Sequence, residues 1–377
     1  MNPSTLHQYV EAGKSAGVPL DILRASVAQA SATRSRGAGP ILSLGHLAHL
    51  TGAPYLYLRE IVQRKRDPYD DVILSKRSGG TRSISAPEPI LMDVHRTVLH
   101  RALSNLPLHP FSYAYTAGRS VQQCAEQHLG ARWMIKFDLH DFFGQIQERD
   151  VFRVFEGRGY SRLVSLELAR LCTRSTRSTV FDRSERGSGR YAAIPSYEAQ
   201  VSGRLPQGAP TSGALSNMVA TPLDYDMAGF AARSGFTYTR YSDDMVLSTT
   251  LNAFDRTQAK SIIREVSEII GSNRFQLHRK KTKVVPPGAR HIVLGLLVDG
   301  DRLRLTPEFR RKVEVHIRGV SEFGIADHAT HRRFDSLLSF VSHVDGCIAY
   351  ARSVQPDWAD ARQHEWLVAL RKHGFPI

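Results

Sequence analysis

Two acids stand side by side in Tyr241-Ser242-Asp243-Asp244, and two more, Asp138 and Asp141, lie about a hundred residues earlier in Lys136-Phe137-Asp138-Leu139-His140-Asp141-Phe142-Phe143. Adjacent carboxylates repel each other unless cations neutralise them. Two metal ions about 3.5–4 Å apart, clamping the attacking and leaving oxygens of a phosphoryl transfer, answer that repulsion. A few hard oxygen ligands that leave room for substrate phosphates suit Mg²⁺. A lone Asp-Asp pair also suits a solvated turn, so the chemistry depends on what positions these acids.

Residues 236–241 and 245–248 alternate as the strands of a hairpin with the Asp pair at its tip. Residues 133–138 read as a strand ending on Asp138, whose carboxylate can project from the sheet beside that tip. Asp141 suits a helix N-cap as well as a site position. Another hairpin is expected over 70–87, turning at Gly79-Gly80, and Asp299-Gly300 marks a turn after strands near 282–285 and 292–298. Helices are expected over 1–40, in two short pieces over 43–66, and at 90–106, 151–172, 211–234 and 256–271, with a mostly helical tail from 307. Residues 173–204 are rich in Ser, Arg and Gly and read as a surface loop or weak hairpin. Sheet and helix alternate without a regular βαβ period, which predicts an α+β fold with an antiparallel sheet.

The chain has 377 residues, enough for a large core in two or three subdomains. Fifty Lys and Arg against 36 Asp and Glu leave a net charge of +14, which suits a polyanionic partner such as nucleic acid. Cys124, Cys172 and Cys347 form no metal or disulfide pattern. No apolar run approaches a membrane span and the N-terminus lacks a signal-peptide layout, so a cytoplasmic protein with no membrane partner is expected. His128, His140, His278 and His291 show no ligand spacing, and no metal is assigned to them.

The order of motifs resembles the reverse transcriptases: Lys136-Phe137-Asp138 with Asp141-Phe142-Phe143, then Leu205-Pro206-Gln207-Gly208, then Tyr241-Ser242-Asp243-Asp244, Lys281-Thr282 and Val293-Leu294-Gly295. The resemblance covers roughly residues 70–310. It implies a right-hand polymerase with fingers, an antiparallel-sheet palm and a helical thumb. The boundaries expected are an N-terminal helical extension over 1–40, fingers and palm over 41–306 and thumb over 307–377. It implies RNA-directed DNA synthesis with two Mg²⁺ ions held by Asp138, Asp243 and Asp244. Lys76, Arg82, Asp141, Phe143, Gln207 and Lys281 match residues that bind the incoming dNTP, with Phe143 excluding a 2′-hydroxyl. Gly208, Tyr241, Gly295 and the basic thumb residues Arg310, Arg311 and Lys312 match template and primer contacts. Arg279, Lys280 and Lys283 crowd Lys281, a stretch that equally suits a solvated basic surface. Consecutive Arg310, Arg311 and Lys312 span about 200° of a helix, so at most two can face one groove.

Within that family the bacterial retron type is the nearest likeness, on compact size, on Ala114-Tyr115-Thr116-Ala117-Gly118-Arg119-Ser120, and on a tail with no room for a ribonuclease H domain. It implies a cognate structured noncoding RNA and its DNA copy as partners, an effector protein as a further one, and phage defence as the setting. Cys124-Ala125-Glu126-Gln127-His128 and Val293-Leu294-Gly295 depart from the retron forms Asn-Ala-x-x-His and Val-Thr-Gly. A non-retron bacterial defence enzyme, a group II intron-like enzyme, and an idle RNA-binding scaffold stay open as alternatives.

Overall fold

A computed structural model of the chain describes residues 3–75, 81–105, 107–175, 202–251 and 254–376. It falls into two compact units, one of Met1–Ala117, Leu139–Asp226 and Ser267–Leu277, the other of Gly118–Asp138, Met227–Val266 and His278–Ile377.

The first unit begins with four helices, Pro3–Ser15, Leu20–Ser35, Leu44–Thr51 and Tyr55–Val62. The third shows why such short pieces hold. The Ser43 hydroxyl accepts from His46 N at its start, and Gly52 at φ +69° ends it. Strands β1 (Tyr69–Ser75) and β2 (Thr81–Pro87) form an antiparallel pair with Val72 opposite Ile84. Lys76 and the expected Gly79-Gly80 turn lie outside the described residues. Pro89, at the first helical position where a missing N–H costs nothing, opens the helix Pro89–Ala102.

Further along this unit come the helices Phe142–Gln145, Glu148–Gly157 and Arg162–Cys172. Glu148 is buried and hydrogen-bonded by Arg64 Nη2 at 2.6 Å, Arg170 Nε at 3.0 Å and the Gly203 amide at 3.0 Å. A buried carboxylate persists only when paired this fully. The pairing pins residues 203–205 along 146–148, where Leu205 N also donates to Ile146 O. Most of the expected loop over 173–204 lies outside the described residues; its ends meet as an Arg174–Arg204 bridge.

In the second unit, β3 (Trp133–Asp138), β4 (Thr237–Tyr241), β5 (Asp244–Thr249) and β6 (Lys283–Val285) form one sheet in the order β4-β5-β3-β6, antiparallel throughout. Every residue of β5 after Asp244 is buried, so both faces of the sheet are covered. That accounts for the unbroken apolar run Met245-Val246-Leu247 where a half-exposed strand would alternate.

A second, smaller sheet joins β7 (Ile292–Val293), β8 (Leu296–Leu297) and β9 (Arg304–Leu305). The single strand expected over 292–298 is two strands. Leu294 at φ +48° and Gly295 at φ +84° form the two-residue turn between them. Two consecutive positive φ values fit the hairpin turn whose twist matches its strands, and glycine supplies one without strain. Four helices follow, Pro307–Phe323, Ile325–His331, Leu337–Arg352 and Pro356–Lys372. Trp366 and Phe340, both fully buried, pack edge to face at 5.9 Å, and the Trp366 indole donates to Asp345 at 2.8 Å.

Candidate active site

The register sets Asp138, the last residue of β3, directly opposite Asp244, the first of β5. Alternation then sends both side chains off one face, with Lys136 and Val246 next along it. Asp243 occupies the turn between Tyr241 and Asp244, which pair across β4 and β5. Ser242 holds that turn at φ +61°, a conformation few non-glycine residues adopt. Arg240, fully buried, donates to the Ser242 carbonyl at 3.1 Å and braces the tip from within.

Three carboxylates at one edge leave an excess of negative charge. Partial burial pushes the Asp244 carboxyl up to about 6, Asp243 and Asp138 push it the same way, and Lys136 and Lys281 oppose them. Lys281 answers part of the excess directly, its ammonium 2.8 and 3.0 Å from the two Asp138 oxygens. The turn Arg279–Lys281 that carries it also hangs from Asp138, whose carbonyl accepts from His278 N at 2.7 Å. Among the described residues no group of three or more His, Cys, Asp and Glu side chains is placed to hold a metal ion by itself. The donor set fits Mg²⁺ all the same, because that ion takes one or two carboxylates and completes its shell with water and substrate phosphate. The upward push on Asp244 comes first from its partial burial and then from the two neighbouring carboxylates.

Behind the tip, buried His128 bridges two strands. Its Nδ1 lies 2.7 Å from the Ser248 hydroxyl on β5 and its Nε2 2.7 Å from the Thr239 hydroxyl on β4. Burial holds its pKa down to about 3, so the ring is neutral, donating through one nitrogen and accepting through the other.

The first unit carries Asp141, Phe143, Gln207, Gly208 and Arg82 among the expected site residues. Asp141 takes a left-handed conformation, φ +42° and ψ +51°, at the start of the helix Phe142–Gln145, with no side-chain cap hydrogen bond. A Cβ on Gly144 would collide with its carboxylate, so that glycine keeps the space open. Phe142 is core, its ring tilted against Phe275 at 5.5 Å, whereas Phe143 is half-buried and meets the exposed ring of Tyr115 at 6.2 Å. Gly213 leaves room for that tyrosine. Gln207 O accepts from Ser85 N at 2.8 Å, and Gly208 at φ +128° lies so close to Ser85 O and Ile84 that no side chain fits there. The Arg82 backbone pairs with Leu74.

In the helix Pro307–Phe323 of the second unit, Arg310 donates to Gln355 at 2.6 Å and lies over the Trp358 ring at 5.6 Å. Arg311 and Lys312 are exposed. The sequence gives no role to Arg240 or to the pairing of Tyr115 with Phe143, and in it His128 is a histidine without ligand spacing at the end of a departed motif. A lone Arg inside a strand pattern was the one signal available for Arg240.

Residues 74–317 match the family described as Reverse transcriptase (RNA-dependent DNA polymerase). The chain is 33% identical over 294 residues to the retron Mx65 reverse transcriptase of Myxococcus xanthus, covering 78% of this chain and 62% of that one. It is 34% identical over 232 residues to the retron Mx162 reverse transcriptase of the same organism, covering 60% and 46%. With the retron Ec86 reverse transcriptase of Escherichia coli it shares 28% over 290 residues, 76% and 74% of the two chains. The chain thus spans about half to three-quarters of these relatives' lengths. Among solved structures, a telomerase from Candida albicans aligns with a TM-score of 0.39 at 12% identity, over 83% of this chain and 64% of that one.

Proposed function

We propose that this chain, which belongs to the reverse transcriptase family, is an RNA-directed DNA polymerase working at the face that carries Asp138, Asp243 and Asp244. The observation that carries the reading is the β3–β5 register, which sets two of the acids opposite each other and the third in the adjoining turn. In the reaction a primer hydroxyl attacks the α-phosphate of a dNTP and pyrophosphate leaves. Two Mg²⁺ ions held by Asp138, Asp243 and Asp244 would supply charge stabilisation for the attacking and leaving oxygens.

The chain's own residues then divide the work. Lys281, seated on Asp138, brings a positive charge to the leaving pyrophosphate. Lys76 and Arg82 grip the triphosphate, and Asp141 supports it. Phe143, steadied by Tyr115, closes the space a 2′-hydroxyl would need. Gln207 and Gly208 bring bare backbone under the nascent pair. Tyr241 and Gly295 serve the primer and template side, with Arg311 and Lys312 as the thumb's exposed phosphate contacts. We assign 1–40 to an N-terminal extension, 41–306 to fingers and palm and 307–377 to the thumb. On the family resemblance we further propose a structured noncoding RNA as template, its DNA copy as product and a cytoplasmic, anti-phage setting. No helix among the described residues is long and apolar enough to cross a membrane. The test is primer extension on an RNA template with wild type and Asp243→Asn. The variant should fold and bind RNA yet incorporate no dNTP; near-normal extension would overturn the site.

A further inference from the structure

In the first unit a cavity of about 740 Å³ opens beside the helix Glu148–Gly157, lined by none of the residues assigned above to nucleotidyl transfer. Three guanidiniums gather at it. Arg149 and Arg153 stand one turn apart on that helix, and Arg274 comes from the residues just after the helix Arg256–Ser272. All three lie 3.9–4.0 Å from the same oxygen of Asp150. That is beyond hydrogen-bond reach, and none of the three donates a hydrogen bond among the described residues. The other Asp150 oxygen is used locally, accepting from Gln147 N at 3.1 Å to cap the helix.

The arginine side chains are 60%, 61% and 64% exposed, against 17% for Asp150. One carboxylate therefore gathers three positive charges and offsets a single one of them. Arg274 reaches this place from a left-handed backbone, φ +64°. Arg36 adds a further charge at the rim, and Val154, Met218 and Pro222 supply an apolar wall.

We propose that this cavity binds phosphate esters, with Arg149, Arg153 and Arg274 as the ligand-binding residues. Forked guanidinium donors match phosphate oxygens, and a cluster left with an excess of two charges calls for a multiply charged anion. The volume lies within the range of small-molecule sites, and the apolar wall suits the uncharged part of a nucleotide. The phosphates could come from a free nucleotide or from the backbone of a nucleic-acid duplex. The proposal does not depend on the polymerase reading, which primer extension tests separately.

The experiment compares full-length wild type with Arg149→Ala/Arg153→Ala/Arg274→Ala. Inorganic tripolyphosphate is titrated by calorimetry and a short RNA duplex by fluorescence anisotropy across a salt series. The triple variant should bind tripolyphosphate at least about tenfold more weakly, and its plot of log K against log salt for the duplex should flatten by roughly 0.9 per lost contact. Loss of tripolyphosphate alone identifies a free nucleotide as the ligand, and a flattened duplex slope identifies the nucleic-acid backbone. Asp150→Asn gives the opposite sign, since Asn keeps the capping oxygen but removes the competing charge. It should tighten tripolyphosphate several-fold. Unchanged binding of both probes by both variants overturns the proposal.

Discussion

Asp244→Asn should stabilise the metal-free protein while abolishing the proposed polymerase activity. The Asp244 carboxyl is pushed from its ordinary value up to about 6 by partial burial and by Asp243 and Asp138. Well below pH 4 it is protonated in the folded and unfolded chain alike and costs nothing. As pH rises toward 6 the unfolded chain gives up this proton first, so folding stability falls, and above 6 the loss is complete. A shift of about two units corresponds to an upper limit of about 3 kcal/mol. Asp244 keeps solvent contact at the sheet edge, so screening reduces this to about 1 kcal/mol. Asparagine keeps the shape and removes the charge. The assay is urea unfolding followed by circular dichroism in EDTA, at pH 4 and pH 7.5, for both proteins. The variant should be about 1 kcal/mol more stable than wild type at pH 7.5 and within about 0.3 kcal/mol of it at pH 4. Adding Mg²⁺ at pH 7.5 should raise the wild-type midpoint more than the variant's. A difference that is absent, or that does not change between the two pH values, would refute the charge argument.

Phe143→Ala opens the space beside Tyr115, so the ratio of kcat/KM for dNTP over rNTP should fall roughly 10- to 100-fold; an unmoved ratio puts the sugar gate elsewhere. His128→Leu strands the buried Ser248 and Thr239 hydroxyls and should cost about 2–4 kcal/mol in urea unfolding at pH 7.5. Because buried His128 resists protonation down to about 3, wild type should lose stability as pH falls from about 6.5 toward 3, and the variant should lose less; parallel pH curves would contradict the neutral ring. Replacing exposed Arg311 and Lys312 with Ala should flatten the salt dependence of RNA-duplex binding by roughly 0.9 per lost contact, whereas Arg310→Ala should lower thermal stability instead, through lost packing on Gln355 and Trp358. An Arg310 variant that changes only the salt slope would reverse that division.

The acids were legible because their spacing and their strands are local. Asp243 and Asp244 sit in a hairpin whose alternation is visible within a dozen residues, and Asp138 ends a short, mostly apolar run of strand length. Most helices were legible too, through caps such as Ser43 and Pro89 that act within one turn. What could not be read depends on partners far apart in the chain. His128 has meaning only through Thr239 and Ser248, which lie 111 and 120 residues away. Lys281 is matched to the dNTP by resemblance, but its seat on Asp138, 143 residues earlier, is set only by the fold. Arg310 looked like its neighbours Arg311 and Lys312, and only the packing of Gln355 and Trp358 separates it from them. The Leu294-Gly295 turn was missed for a different reason. A bulky residue at positive φ is strained when taken alone, so local propensity argued for one continuous strand. The pairing of β7 with β8 decided otherwise. Local pattern therefore locates the carboxylates, while register and burial decide which cations answer them. Asp244 shows the consequence: its chemistry cannot be deduced from being an aspartate beside an aspartate, because the push toward 6 comes first from partial burial, then from Asp243 and from Asp138 brought opposite by β3, and is only partly offset by Lys136 and Lys281.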